Sequence, residues 1–133
     1  MNANNAPAQR PQILAVEDDA DVLRLIVRGL TAVGDVTSAV DGQEAYELVI
    51  GGLAPDVIVT DLMMPRMDGL TLVHRLKEEG RLGRIPVVIL TAKTRAQEVV
   101  EGINAGARFY VTKPFEMDSL VGKVRKALQG KSR

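Results

Sequence analysis

Five short apolar runs constrain the fold of this chain more than any other feature. They are Ile13-Leu14-Ala15-Val16, residues 36–40, Val57-Ile58-Val59, Val87-Val88-Ile89-Leu90 and Phe109-Tyr110-Val111. The first, third and fourth are continuously apolar and mostly β-branched or Leu, as expected of strands buried on both faces of a parallel sheet. The second carries Thr37 and Ser38 and reads as an edge strand.

Segments with helical periodicity lie between and after these runs. Val22, Leu25, Ile26 and Leu30 are predicted to line one face of a first helix. Asp41 and Glu44 have the spacing of a capping box that opens a second helix, with Ala45, Leu48 and Val49 inward. Leu70, Val73 and Leu76 give a third stripe. Thr94 and Gln97 suggest another box before Val99, Val100 and Ile103, and Gly106 would end that helix. Leu120, Val121, Val124 and Leu128 form the last stripe. Strand and helix alternate five times, which predicts an α/β fold: a doubly wound parallel sheet with helices on both faces. Right-handed crossovers leave few topologies, and the flavodoxin-like order 2-1-3-4-5 is one of two common answers.

The remaining bounds are exclusions. A chain of 133 residues fits one domain. Residues 1–10 read as a disordered tail, 11–129 as the folded domain and 130–133 as a tail or the start of a linker. There is no Cys, so no disulfide or thiolate metal site contributes. That is compatible with a reducing cytosol, and a cytoplasmic location is expected. Basic and acidic side chains both number 17, so the domain has no general attraction for nucleic acid or an anionic membrane. No apolar run approaches the roughly 20 residues of a membrane-spanning helix.

In a doubly wound sheet, ligands bind outside the carboxyl ends of the strands. The first strand there runs into Glu17-Asp18-Asp19, the third ends at Thr60-Asp61, the fourth at Thr91-Ala92 and the fifth at Thr112-Lys113-Pro114. The second contributes nothing comparable. Crowded carboxylates repel, and a hard divalent cation relieves them. Mg²⁺ favours one or two carboxylates, waters and a phosphate oxygen. A carboxylate can also attack phosphorus and become an acyl phosphate. Lys113 would add positive charge, and Thr91 a hydroxyl donor.

The stretches Ile13-Leu14-Ala15-Val16-Glu17-Asp18-Asp19, Thr60-Asp61-Leu62-Met63-Met64-Pro65-Arg66-Met67-Asp68-Gly69, Leu90-Thr91-Ala92 and Lys113-Pro114-Phe115 together resemble the receiver domain of two-component response regulators. The resemblance implies that Asp61 accepts a phosphoryl group from a histidine kinase or phosphotransfer protein. It implies that Asp18, Asp61 and the backbone carbonyl of Met63 hold Mg²⁺, with Glu17 acting through water. Lys113 and Thr91 would contact the phosphoryl oxygens, and the Lys113–Pro114 bond would be cis. Thr91 and Tyr110 would form the switch, altering how a downstream protein binds the face made by the fourth helical segment, the fifth strand and the last helix. Met63 and Lys93 would flank the hydrolytic water and tune dephosphorylation. Receivers with winged-helix outputs often carry Asp-Asp-Tyr in the fifth strand, where this chain has Arg108-Phe109-Tyr110.

Structural roles compete with several of these. Asp19 and Asp21 fit the start of a helix better than a metal site. His74, in the third helical segment, fits a solvated position. Met63, Met64 and Met67 can be adaptable packing. Two other classes are a Mg²⁺-dependent phosphohydrolase and a receiver-like scaffold that binds partners without phosphorylation. The first commonly needs an acid two residues after its nucleophile, where Met63 stands. The second would usually have lost the pocket residues. There is no GxxxxGK[ST] loop for a nucleotide hydrolase. The expected class is therefore a signalling domain, not an enzyme beyond catalysing its own phosphorylation and dephosphorylation. Its output is either protein contacts alone or a domain of a longer regulator of which this is the N-terminal part.

Overall fold

The computed structural model describes residues 9–92 and 109–131. The strands are β1 (Gln12–Val16), β2 (Asp35–Ala39), β3 (Val57–Asp61), β4 (Val87–Ala92) and β5 (Phe109–Lys113). The helices among the described residues are α1 (Ala20–Leu30), α2 (Gly42–Ile50), α3 (Gly69–Glu78) and α4 (Met117–Lys131). The expected helix between Thr94 and Gly106, and Lys93 before it, lie outside the described residues.

All five strands are parallel and pair in the order β2-β1-β3-β4-β5. The run with Thr37 and Ser38 is an edge strand, and every residue of β3 is buried. Strand side chains alternate between two cores. Leu14, Val16, Ile58 and Ile89 face one core with Ala45 and Val49 of α2 and Leu72, Val73 and Leu76 of α3. Ile13, Ala15, Val57, Val59, Val88, Leu90 and Val111 face the other, with Leu23, Ile26 and Leu30 of α1 and Leu120, Val124 and Ala127 of α4.

The inward stripe of α1 differs from the sequence reading. Leu25 is 57% exposed, and Leu23 occupies the buried place. At 100° per residue, Leu25 points about 200° away from Leu23. Both sets fit the helical period, but Leu23 joins Ile26 and Leu30 in the buried stripe while Leu25 turns outward.

The helix starts follow side-chain chemistry. Asp19 caps α1 by accepting from the Asp21 and Val22 amides at 2.9 and 3.1 Å. Asp68 caps α3 through the Thr71 amide at 2.8 Å. Asp41 caps α2 through the Glu44 amide at 2.8 Å, and Glu44 reaches back to the Val40 amide at 2.7 Å. The box therefore closes one residue earlier than the standard pattern, which targets the cap residue's own amide. At the opposite edge, Arg10 pairs with Asp35 at 3.0 Å and donates to the Gly34 carbonyl at 2.9 Å.

Candidate functional site

Register brings the strand-end residues together. Val16 pairs with Thr60, so Glu17 lies level with Asp61, and Asp61 pairs with Leu90. Ala92 pairs with Lys113, which places that lysine beyond the same edge. One carboxylate oxygen each from Glu17, Asp18 and Asp61 lies within 4.8 Å of the others. Glu17 and Asp61 are buried, whereas Asp18 is exposed.

Lys113 closes this group. Its Nζ donates to Glu17 Oε1 at 2.8 Å and to Asp61 Oδ2 at 3.0 Å. The second Glu17 oxygen accepts the Asp19 amide at 3.1 Å. Burial alone would favour a neutral Lys113, but its hydrogen bonds to Glu17 and Asp61 outweigh that, and its pKa lies above the ordinary lysine value. Asp18 is pushed above the ordinary carboxylate range by lost solvation, then by its hydrogen bond to Glu17. Three carboxylate oxygens converging within 4.8 Å suit a hard divalent cation with oxygen ligands. The donor set of Glu17, Asp18 and Asp61 fits Mg²⁺ on that chemistry.

The other expected residues surround this centre unevenly. Thr91 is buried, and its hydroxyl donates to the Ala92 carbonyl at 3.2 Å. Tyr110 is half-buried against the α2–α3 core, and burial pushes its phenol pKa up. The Lys113–Pro114 peptide bond is cis. Met63 is 49% exposed in the loop after β3, and His74 is exposed on α3. Asp19 and Asp21 belong to the start of α1 and are not among the clustered carboxylates.

Sequence reasoning missed one part of this edge. Asp41, just beyond β2, accepts from Arg66 Nε at 2.7 Å and from Arg66 Nη2 at 3.1 Å. The residues after β2 thus contribute to the edge that carries Asp61, contrary to the expectation from sequence. Arg66 stands in the β3–α3 loop with φ of 66°, a left-handed conformation uncommon for a non-glycine residue. The guanidinium beside Asp41 holds that buried carboxyl below the usual range. The strand order was the available signal, because residues following β2 and β3 emerge on one side of the sheet.

Two glycines set how closely this edge packs. A Cβ at Gly69 would meet the Asp61 carbonyl oxygen, and one at Gly42 the Met67 carbonyl oxygen. The Gly69 amide donates to Leu62 O at 2.9 Å, and the Gly42 amide to Met67 O at 3.0 Å.

Comparison with known proteins gives consistent results. A family model described as the response regulator receiver domain matches residues 13–125. The chain is 39% identical over 120 residues to the DNA-binding dual master transcriptional regulator RpaA of Synechocystis sp., covering 90% of the chain and 49% of that protein. It is 40% identical over 119 residues to the response regulator MprA of Mycobacterium leprae, covering 89% and 51% respectively. The chain therefore spans about half the length of these curated relatives. Among solved structures, the receiver domain of the Francisella response regulator 1452 superposes with a TM-score of 0.81 at 35% identity, covering 91% of this chain and 98% of that one. The chemotaxis response regulator CheY4 of Vibrio cholerae does so with a TM-score of 0.82 at 28% identity, covering 90% and 99%.

Proposed function

Because the chain belongs to the response-regulator receiver domain family of two-component signalling, we propose that it is a switch set by a phosphoryl group on Asp61. The observation that carries this reading is the convergence of Asp61 with Glu17, Asp18 and Lys113 at one sheet edge. A phosphohistidine of a sensor kinase or phosphotransfer protein is the proposed donor. A carboxylate oxygen of Asp61 attacks its phosphorus. The P–N bond breaks, its electron pair stays on the imidazole, and the ring regains a proton from solvent.

Each neighbour has a distinct task in this reading. Asp18, Asp61 and the Met63 carbonyl would hold Mg²⁺, with Glu17 acting through water. When bound, the ion supplies positive charge between the carboxylates and the phosphoryl oxygens, which phosphoryl transfer requires more than covalent help. Lys113 exchanges its present carboxylate partners for a phosphoryl oxygen. Thr91 exchanges the Ala92 carbonyl for another. That exchange gives the phosphoryl group different contacts in two states, the condition for shifting their populations. Tyr110 follows Thr91, and the face around β5 and α4 changes its affinity for a downstream protein or an output domain. Binding of nucleic acid by this domain itself forms no part of the reading. Among the described residues, no helix is long and apolar enough to cross a membrane.

Acetyl phosphate with Mg²⁺ should add one phosphoryl group, an increase of about 80 Da from that chemistry, and hydroxylamine should remove it. The adduct should be absent from Asp61→Asn. An unchanged adduct in that variant would refute the assignment.

A further inference from the structure

We infer that Arg66 and Asp41 form a positioning pair that fixes the loop after Asp61 in its metal-binding geometry. This rests on the reading of Asp61 as phosphoacceptor and of Met63 as a carbonyl ligand, and adds a residue pair that assembles that ligand set. Met63 precedes Arg66 by three residues in the loop between β3 and α3. A backbone carbonyl has no side-chain freedom, so its direction is set by whatever anchors its loop.

Three features of the loop show an anchor. Arg66 adopts φ of 66°, which a residue with a Cβ holds only when its surroundings fix it. Its guanidinium makes a forked contact, Nε to Asp41 Oδ2 at 2.7 Å and Nη2 to Oδ1 at 3.1 Å, which restrains orientation as well as distance. The next residue repeats the attachment through the backbone, where Met67 O accepts the Gly42 amide at 3.0 Å. A side chain at Gly42 would collide with that carbonyl, so the approach of α2 to the loop tolerates no Cβ.

The anchor is itself held by α2. Asp41 is 5% exposed and also caps α2 through the Glu44 amide at 2.8 Å, so its carboxylate is fixed from the helix side. The loop is thereby tied to the start of α2 on one side and to Asp61 on the other. The Gly69 amide bonds Leu62 O at 2.9 Å, and Gly69 packs on the Asp61 carbonyl. Met63 lies between these two attachments. Releasing Arg66 leaves the distal end held by the Gly42–Met67 backbone bond alone, and the Met63 carbonyl then samples directions unsuited to a cation held by Asp18 and Asp61.

The test measures Mg²⁺ affinity by calorimetric titration of the full chain, with amide hydrogen exchange at Gly42 as a second readout. Arg66→Gly removes the guanidinium while suiting the positive φ. Asp41→Asn keeps an oxygen for the Glu44 amide but loses the charge. Each should weaken Mg²⁺ binding about fivefold and speed Gly42 exchange, while Arg66→Lys falls between. The Asp41→Asn/Arg66→Gly double variant should lose no more than either single variant, as expected of one coupled unit. Parent-like Mg²⁺ affinity in Arg66→Gly overturns the positioning role, whatever happens to Asp41→Asn. Additive losses in the double variant overturn it as well. A parent chain that binds no Mg²⁺ removes the metal reading on which the pair's role depends, and the pair's role with it.

Discussion

Gly69→Ala tests how closely the fold is built around Asp61. An ideal Cβ at this position comes within 3.0 Å of the Asp61 carbonyl oxygen and lies 3.3 Å from Leu62 Cα, where ordinary contact starts at 3.4 Å. Both neighbours are backbone of β3 and its exit, so neither can swing aside. Such overpacking typically costs about 1–3 kcal/mol, against roughly 0.4–1 kcal/mol gained by restricting the unfolded chain. A net loss of about 1–2 kcal/mol corresponds to a melting temperature lower by about 4–8 °C in a domain of this size. The displacement also moves Asp61 by several tenths of an ångström. Since 1 Å of misplacement can cost about a hundredfold in rate, phosphorylation by acetyl phosphate should slow about tenfold. Gly29→Ala is the matched control. There the Cβ meets Met117 Cγ at 2.7 Å and Cε at 2.8 Å, flexible side-chain atoms that can move. Its position inside α1 favours Ala by about 0.5–1 kcal/mol, so that variant should melt near or above the parent. Thermal melts and intact-mass time courses measure both effects. If Gly69→Ala matches the parent in stability and rate, the edge has slack and the reasoning fails.

Three other outcomes follow from the site. Asp41 has a lowered pKa in the folded state, so its contribution is present above the unfolded value of about 3.9 and disappears as pH falls through the folded value. The stability difference between parent and Asp41→Asn should therefore shrink with acidification below about pH 4 in urea titrations, and a constant difference would disprove the linkage. Lys113→Met should lose about 1–3 kcal/mol in metal-free buffer by removing the ammonium that bonds buried Glu17 and Asp61. Mg²⁺ should then raise its melting temperature more than the parent's, and an equal rise would show that the lysine and the cation do not serve the same carboxylates. On the proposed reading Met63 and Lys93 flank the hydrolytic water; a thioether would orient it poorly, and a protonated lysine would not accept its proton. The change Met63→Asn with Lys93→Glu should therefore speed phosphoryl loss about tenfold, or 1.4 kcal/mol of barrier, and an unchanged decay would exclude control by these side chains.

The strands were legible because a parallel sheet covered on both faces needs apolar residues at every position, as Val87–Leu90 supplies. Strand order was less legible, since right-handed crossovers left 2-1-3-4-5 as one of two common answers, and the polar Thr37 and Ser38 marked only an edge. Helix faces were less secure. In α1, Leu23 and Leu25 are both apolar, and Leu23 is the one that joins the core between the sheet and α4. The strand-end rule located Glu17, Asp18, Asp61 and Lys113, but it specifies an edge and not the contacts made there. Lys113 bonds Glu17 across a separation of 96 residues, and Arg66 bonds Asp41 across 25. Neither pair has a local pattern. Asp41 looked fully explained as a helix cap, and that local role hid the tertiary one, because its two oxygens serve the Glu44 amide and Arg66 together. Arg66 carried no signal of its own, since its left-handed φ is imposed by the loop's attachments and is no preference of arginine. Apolar periodicity fixes which layer a residue joins, whereas the orientation of the candidate site depends on polar contacts between loops. Those contacts become deducible only after the topology has brought the loop ends to one edge.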